Sequence, residues 1–204
     1  MEENHCRRFF EEQFRHQVAA GDLQLNPFER RVLPYVEGRV LDFGCGLGNL
    51  AVAAARRGCS VLALDASATA TAHVAAIAAN EGLDLVVERR DLRTYDSGAC
   101  FDTVVSIGLL MFFDRSTALR QLQSLVASVR AGGVLVLNVL IRGTTYLEMF
   151  DQDEHFLFAP DEVRASLQGF EILEDVVERF AASAATEKVF LTIVARKKPS
   201  AGGR

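Results

Sequence analysis

Between residues 39 and 141, short apolar runs alternate strictly with helix-period stretches, and this constrains the fold more than any other feature of the chain. Residues 39–43 form a short apolar run. A glycine-rich turn follows at 44–48, then a helix expected over 49–57 with Leu50, Ala53 and Ala54 buried and Gly58 as its stop. Residues 60–64 make a second strand, ended by Asp65. Ser67 can cap a helix running to Asn80, which Gly82 stops. Residues 83–88 and 101–107 read as the third and fourth strands. Asp114 or Ser116 opens a helix with Leu119, Leu122, Leu125, Val126 and Val129 inward, which Gly132 and Gly133 are expected to end. The apolar run 134–141 suits a strand covered on both faces of a parallel sheet. A last helix is expected over 161–167, and 170–177 with 188–195 as an antiparallel strand pair.

Such alternation predicts an α/β fold: a Rossmann-like open, mostly parallel seven-stranded sheet with helices on both faces and an antiparallel last strand. Ahead of it, Phe9, Phe10, Phe14 and Val18 recur at helical spacing, residues 21–26 break that helix, and Pro27 opens a second that Pro34 ends. The 204 residues suit a single domain, with a helical cap at 1–38, a core at 39–141, and a lid insert with the strand pair at 142–204. Twenty-seven acids against 22 Lys and Arg leave a net charge of −5, which argues against nucleic acid or an anionic membrane as partner. No apolar run approaches the ~20 residues of a membrane span, and no secretory signal opens the chain. Cys6, Cys45, Cys59 and Cys100 are scattered without metal-ligand spacing, so no metal is expected. Free thiols fit the cytoplasm, and the chain is expected to act as a monomer or homodimer.

Ligands of open α/β sheets bind at the carboxyl ends of the strands. There stands Asp42-Phe43-Gly44-Cys45-Gly46-Leu47-Gly48-Asn49, whose glycines allow a tight turn and close approach of a ligand. Asp42 would repel a pyrophosphate and suits a cation. Asp65, ending the second strand, can accept from both hydroxyls of a ribose, and Asp91, after the third, from an exocyclic amine. A nicotinamide-dependent reductase, an alternative on a similar sheet, uses a Gly-x-Gly-x-x-Gly turn that this sequence lacks.

These segments, with 101–106 and 130–135, resemble the class I S-adenosylmethionine-dependent methyltransferases over about residues 40–141. The resemblance implies S-adenosylmethionine as cofactor, with S-adenosylhomocysteine as product. It implies cofactor contacts at Asp42, Gly44, Cys45, Gly46, Asn49, Asp65, Ala66, Asp91, Leu92, Ser106 and Ile107. Within the family, residues 108–115, 156–163 and 192–198 look like the tellurite-resistance type. That type carries a His-Arg pair before the last strand, where this chain has Arg179 without the histidine.

Methyl transfer from a sulfonium chiefly needs the acceptor held in line. An oxygen or nitrogen acceptor usually also needs a base. The acceptor, expected to be a small molecule, would meet the N-terminal helices and the insert 142–158. The insert holds Arg142, Thr144, Thr145, Tyr146, Asp151, Asp153 and His155 among phenylalanines, and its length favours a lid. His155, Tyr146 and Arg142 are its catalytic candidates. His5 and His16 sit on the N-terminal helix, Asn26 in the following turn could cover the cofactor, Arg142 and Arg179 could clamp an anion, and residues 109–113 could wall the pocket. Residues 142–179 hold three Arg against ten Asp and Glu, which argues against steering an oxyanion inward. A non-catalytic cofactor-binding module remains the alternative of another class, and a pocket open or blocked beside the sulfonium would separate the two.

Overall fold

The computed structural model describes residues 5–21, 24–96, 98–151 and 154–199. Two helices come first, α1 (His5–Ala20) and α2 (Pro27–Val32). The alternating core then runs β1 (Arg39–Phe43), α3 (Asn49–Arg56), β2 (Ser60–Asp65), α4 (Ala68–Glu81), β3 (Leu85–Arg89), β4 (Phe101–Ile107), α5 (Arg115–Ser128) and β5 (Val129–Leu140). A short helix α6 (Pro160–Ala165) precedes the last two strands, β6 (Phe170–Ala181) and β7 (Glu187–Lys197).

Local chemistry sets these limits. Asn26 and Glu29 form a capping box at the start of α2, and Pro27 takes the first turn, where its missing N–H costs nothing. The Ser67 side chain accepts from Ala70 N at the start of α4, and Gly82 ends that helix in the left-handed conformation. Asp114 caps α5 through Ser116 N and Thr117 N.

The seven strands lie in one sheet, ordered β3-β2-β1-β4-β5-β7-β6. All neighbouring pairs are parallel except those made by β7, which runs antiparallel to both β5 and β6. The expected sheet is therefore present, with β7 as its antiparallel last strand. Strand order reverses direction between β1 and β4, which puts the switch point beside the glycine turn. Two buried clusters cover the two faces. One gathers Leu41, Phe43, Val104, Leu135, Leu137 and Leu191, and the other Val40, Ala63, Val74, Val105, Val136 and Val194. Among the described residues no helix is long and apolar enough to cross a membrane, and no group of His, Cys, Asp or Glu could hold a metal ion.

One boundary differs from expectation. Gly132 and Gly133 do not end α5 but lie inside β5, which already starts at Val129. A Cβ on Gly133 would stand 2.7 Å from the Asp102 carbonyl oxygen, so β4 and β5 approach there too closely for a side chain. The pairing of these strands shifts register at the same place, between Phe101 and Thr103.

Candidate active site

The carboxyl ends of the strands, roofed by α1 and α2, enclose a cavity of about 830 Å³. The glycine turn forms its floor on one side. Gly44, Gly46 and Gly48 all have positive φ (86°, 52° and 70°), which an L side chain resists. Gly44 N and Cys45 N both donate to the Leu64 carbonyl at 2.9 Å, fastening the turn to β2. A Cβ on Gly44 would lie 2.7 Å from Leu109 Cδ2, so the β1 and β4 loops touch at this glycine.

Asp65 organises the turn from the next strand. Its carboxylate accepts from Gly46 N at 2.9 Å and from Ser67 N at 2.8 Å. Each carboxylate oxygen keeps further acceptor capacity toward the cavity. Burial raises its pKa despite these bonds. Asp42 is buried, and no protein hydrogen bond reaches its carboxyl group among the described residues. Burial first, then the charges of Glu29 and Asp65, push its pKa up to about 8. Cys45 is buried at the same turn, and burial holds its thiol far above the range of a nucleophilic thiolate.

The roof is tied to the floor through Glu11 of α1, whose carboxylate accepts from Ser67 Oγ (2.5 Å) and from Thr69 Oγ1. Phe10 packs edge-on against Phe112 at 4.9 Å. Asn49 Nδ2 donates to the Gln24 carbonyl at 3.1 Å, holding the chain ahead of α2 to the start of α3.

The cavity lining brings together Asp42, Gly44, Cys45, Gly46, Asn49, Asp65, Ala66, Asp91, Leu92 and Ile107, with Asn26 and residues 109 and 111–113. Ser106 is not among the lining residues. Successive residues of a strand point to opposite faces, so Ser106 lies under the sheet, buried and with its hydroxyl unpartnered, when Ile107 faces the cavity. His155, Tyr146 and Arg142 also lie off the lining. His155 stacks on Phe150 at 4.7 Å with Nδ1 3.1 Å from the Asp151 carbonyl oxygen. Arg142 is exposed and 3.8 Å from Glu162. The Tyr146 ring packs under the Lys188 ammonium. His16 is exposed beside Glu12, and Arg179 pairs with Glu187 at 2.5 Å. The His5 side chain and Asp153 lie outside the described residues.

The insert is stitched to β7 rather than standing free. Thr145 N and Tyr146 N donate to the Glu187 carbonyl, and Val189 N donates to Thr144 Oγ1. Its Met149 and Glu154 reach the cavity wall. Sequence reasoning missed Glu11, Asn138, Lys188 and Phe190 in the lining. Only Asn138 left a signal, as the single polar residue in the apolar run 134–141.

Residues 40–133 match a family model described as a methyltransferase domain. No curated protein matches the sequence. Among solved structures, TehB from Haemophilus influenzae is similar with a TM-score of 0.74 and 19% identity, over 85% of this chain and 63% of that one. The present chain thus spans about 63% of the length of TehB. The N-methyltransferase NodS from Bradyrhizobium japonicum WM9, in complex with S-adenosylhomocysteine, gives 0.68 and 18% over 92% and 98% of the two chains. Magnesium protoporphyrin IX methyltransferase from Synechocystis PCC 6803, with bound S-adenosylhomocysteine, gives 0.60 and 19% over 94% and 83%. At these identities the likeness is one of fold.

The donor set fits such a cofactor. Asp42 is a buried carboxyl group with no protein donor, placed on a cavity. The cation it lacks matches the ammonium and sulfonium charges of S-adenosylmethionine. Residues 40–133 thus match a model of a methyltransferase domain, and the chain has the fold that these three solved structures share.

Proposed function

We propose that the chain transfers a methyl group from S-adenosylmethionine to a small-molecule acceptor by in-line displacement. One observation carries this reading. The cavity that holds the glycine turn and the three strand-end acids continues past Ile107 to Met111, Phe112, Leu140, Met149 and Phe190. Such a continuation leaves room for a second molecule beside the first, which a pure binding module has no use for. The cofactor supplies a methyl group on a positively charged sulfur. Bound there, it would give that methyl carbon to the acceptor atom, with the carbon–sulfur pair left on sulfur and the acceptor's proton lost to solvent as the product leaves.

In this reading, Asp42 and the turn 44–48 hold the charged methionine end, with Cys45 and Asn49 supporting the turn. Asp65 and Ala66 border the ribose, Asp91 and Leu92 border the adenine, and Ile107 faces the sulfur. The lining residues named here contribute by positioning the two molecules and excluding water between them. Residues 39–141 act as the cofactor core, 1–38 as its cap, and 142–204 as the acceptor side. An inorganic oxyanion, which the tellurite-type resemblance implies, suits this site poorly. Arg179 is engaged by Glu187 off the lining, and the continuation of the cavity is mostly apolar. Cys45, Cys59 and Cys100 are free thiols, which supports action in the cytoplasm. A monomer or homodimer would suffice.

Calorimetric titration with S-adenosylhomocysteine, with NADH as control, tests the proposal. Micromolar binding of the first and none of the second is expected. Absence of S-adenosylhomocysteine binding by folded protein would overturn it.

A further inference from the structure

Strand β7 carries a lysine on a face that is otherwise built for packing. Lys188, Phe190, Thr192 and Val194 alternate on the sheet face that also bears Asn138 and Leu140 of β5, because Asn138 pairs with Thr192 and Leu140 with Phe190. Lys188, Phe190, Leu140 and Asn138 all line the cavity. Three other cations line it, and each is engaged. Arg15 lies 3.5 Å from Glu11, Arg93 donates twice to Asp91, and Arg89 donates to the Ala66 carbonyl. Lys188 has no carboxylate partner among the described residues, and its ammonium stands 4.5 Å from the Tyr146 ring centroid. Burial depresses its pKa, as expected for an ammonium with no anion beside it.

A second observation stands deeper in the same half. Asn138 is 1% exposed. Its Nδ2 donates to Thr192 Oγ1 at 2.9 Å, while its Oδ1 has no partner. A buried amide oxygen left without a donor is costly unless a ligand supplies one. Asn138 pairs with Ile107, so it stands where the proposed function places the methyl group. Lys188 is four residues along β7 from the partner of Asn138, roughly 13 Å at the strand rise. Between them lie Leu140 and Phe190, with Phe28 at 4.8 Å from Phe190. The acids Asp42, Asp65 and Asp91 belong to the strand ends on the other side of β4. Glu29, the acid of α2, accepts from Asn26 N at 2.7 Å.

We infer that the acceptor is an elongated organic anion: its hydroxyl or amine donates to Asn138 Oδ1 at the methyl end, its apolar body lies on Leu140 and Phe190, and its carboxylate meets Lys188. The inference deepens the methyltransferase reading and rests on it. It excludes small inorganic anions, which cannot span the distance between the two polar groups.

The test uses para-hydroxy and para-amino aryl carboxylates of increasing length, such as 4′-hydroxybiphenyl-4-carboxylate, each with its neutral methyl ester. Binding is measured by calorimetry on protein saturated with S-adenosylhomocysteine. The longer acids should bind more tightly than their esters. Lys188→Met should weaken the acids about 10- to 100-fold, the range of a charge-assisted hydrogen bond, and leave the esters unchanged. Asn138→Leu should weaken acid and ester alike. Unchanged S-adenosylhomocysteine affinity certifies that each variant is folded. Equal binding of acid and ester, equal loss of both in Lys188→Met, or no acid bound by saturated protein would overturn the inference. Failure of S-adenosylhomocysteine itself to bind is a separate result, which sinks the methyltransferase reading and this inference with it.

Discussion

Replacing Asp42 with asparagine probes the charge balance of the cavity. The Asp42 carboxyl is buried beside Glu29 and Asp65, and its pKa is pushed up to about 8 from an ordinary 3.8. Above pH 3.8 the unfolded chain therefore releases a proton that the folded protein keeps. The stability contributed by this group is full below pH 3.8 and is lost as pH rises through about 8. Each pH unit in that window costs about 1.4 kcal/mol, so the loss reaches ~4 kcal/mol at pH 7. Asparagine is nearly isosteric and neutral at every pH. Without ligand, Asp42→Asn should thus exceed the wild type in stability by a margin that widens by about 3 kcal/mol between pH 5.5 and 7.5. Urea unfolding at a series of pH values measures that margin. Ligand binding should move the opposite way. The ammonium of S-adenosylhomocysteine favours ionised Asp42, so wild-type affinity should rise with pH, up to about tenfold per unit between pH 6 and 8. The variant should bind more weakly and lose this dependence. A stability margin that stays constant with pH, together with a flat wild-type affinity, would refute the reasoning.

Other perturbations reach other parts of the site. Asp65→Ala removes the acceptor for Gly46 N and Ser67 N as well as the proposed ribose partner, and should weaken S-adenosylhomocysteine binding by ~1–3 kcal/mol in the same titration. Gly44→Ala places a Cβ 2.7 Å from Leu109 at a φ of 86°, and should lower stability by about 1–3 kcal/mol in thermal unfolding while abolishing cofactor binding. Glu11→Gln weakens the bonds to Ser67 and Thr69, and should speed amide hydrogen exchange in α1 with the central strands unchanged. His155→Ala and Arg142→Ala leave the lining intact, so once an acceptor is in hand each should change kcat/KM by no more than about twofold.

Much of the fold was legible because parallel strands buried on both faces must be apolar runs, and the glycines and caps between them must stop helices. Residues 39–43 and 101–107 appear as strands at the expected limits. The Gly132-Gly133 pair misled for a local reason. Adjacent glycines read as a break, yet here they admit the backbone of β4 to within reach of β5, a contact between residues some thirty positions apart. The strand-end lining of the cavity was legible in the same way, since a parallel sheet delivers the residue after each strand to one edge. Ser106 fell out only because the two-residue period of β4 turned it beneath the sheet.

The rest of the lining was not legible. His155 drew attention as a lone histidine in a long insert, but the hydrogen bonds of that insert to β7 hold it against Phe150. Glu11, Asn138, Lys188 and Phe190 come from the start of the chain, its middle and its end, and no spacing in the sequence relates them. By itself, then, the sequence determined a parallel sheet and the turn and acids along its carboxyl edge, because each of those depends on neighbours within a few residues. Which side chains face one another across the cavity was decided only by tertiary structure: by the antiparallel register of β7 on β5 and the seating of α1 on α4, contacts between segments that local chemistry does not connect.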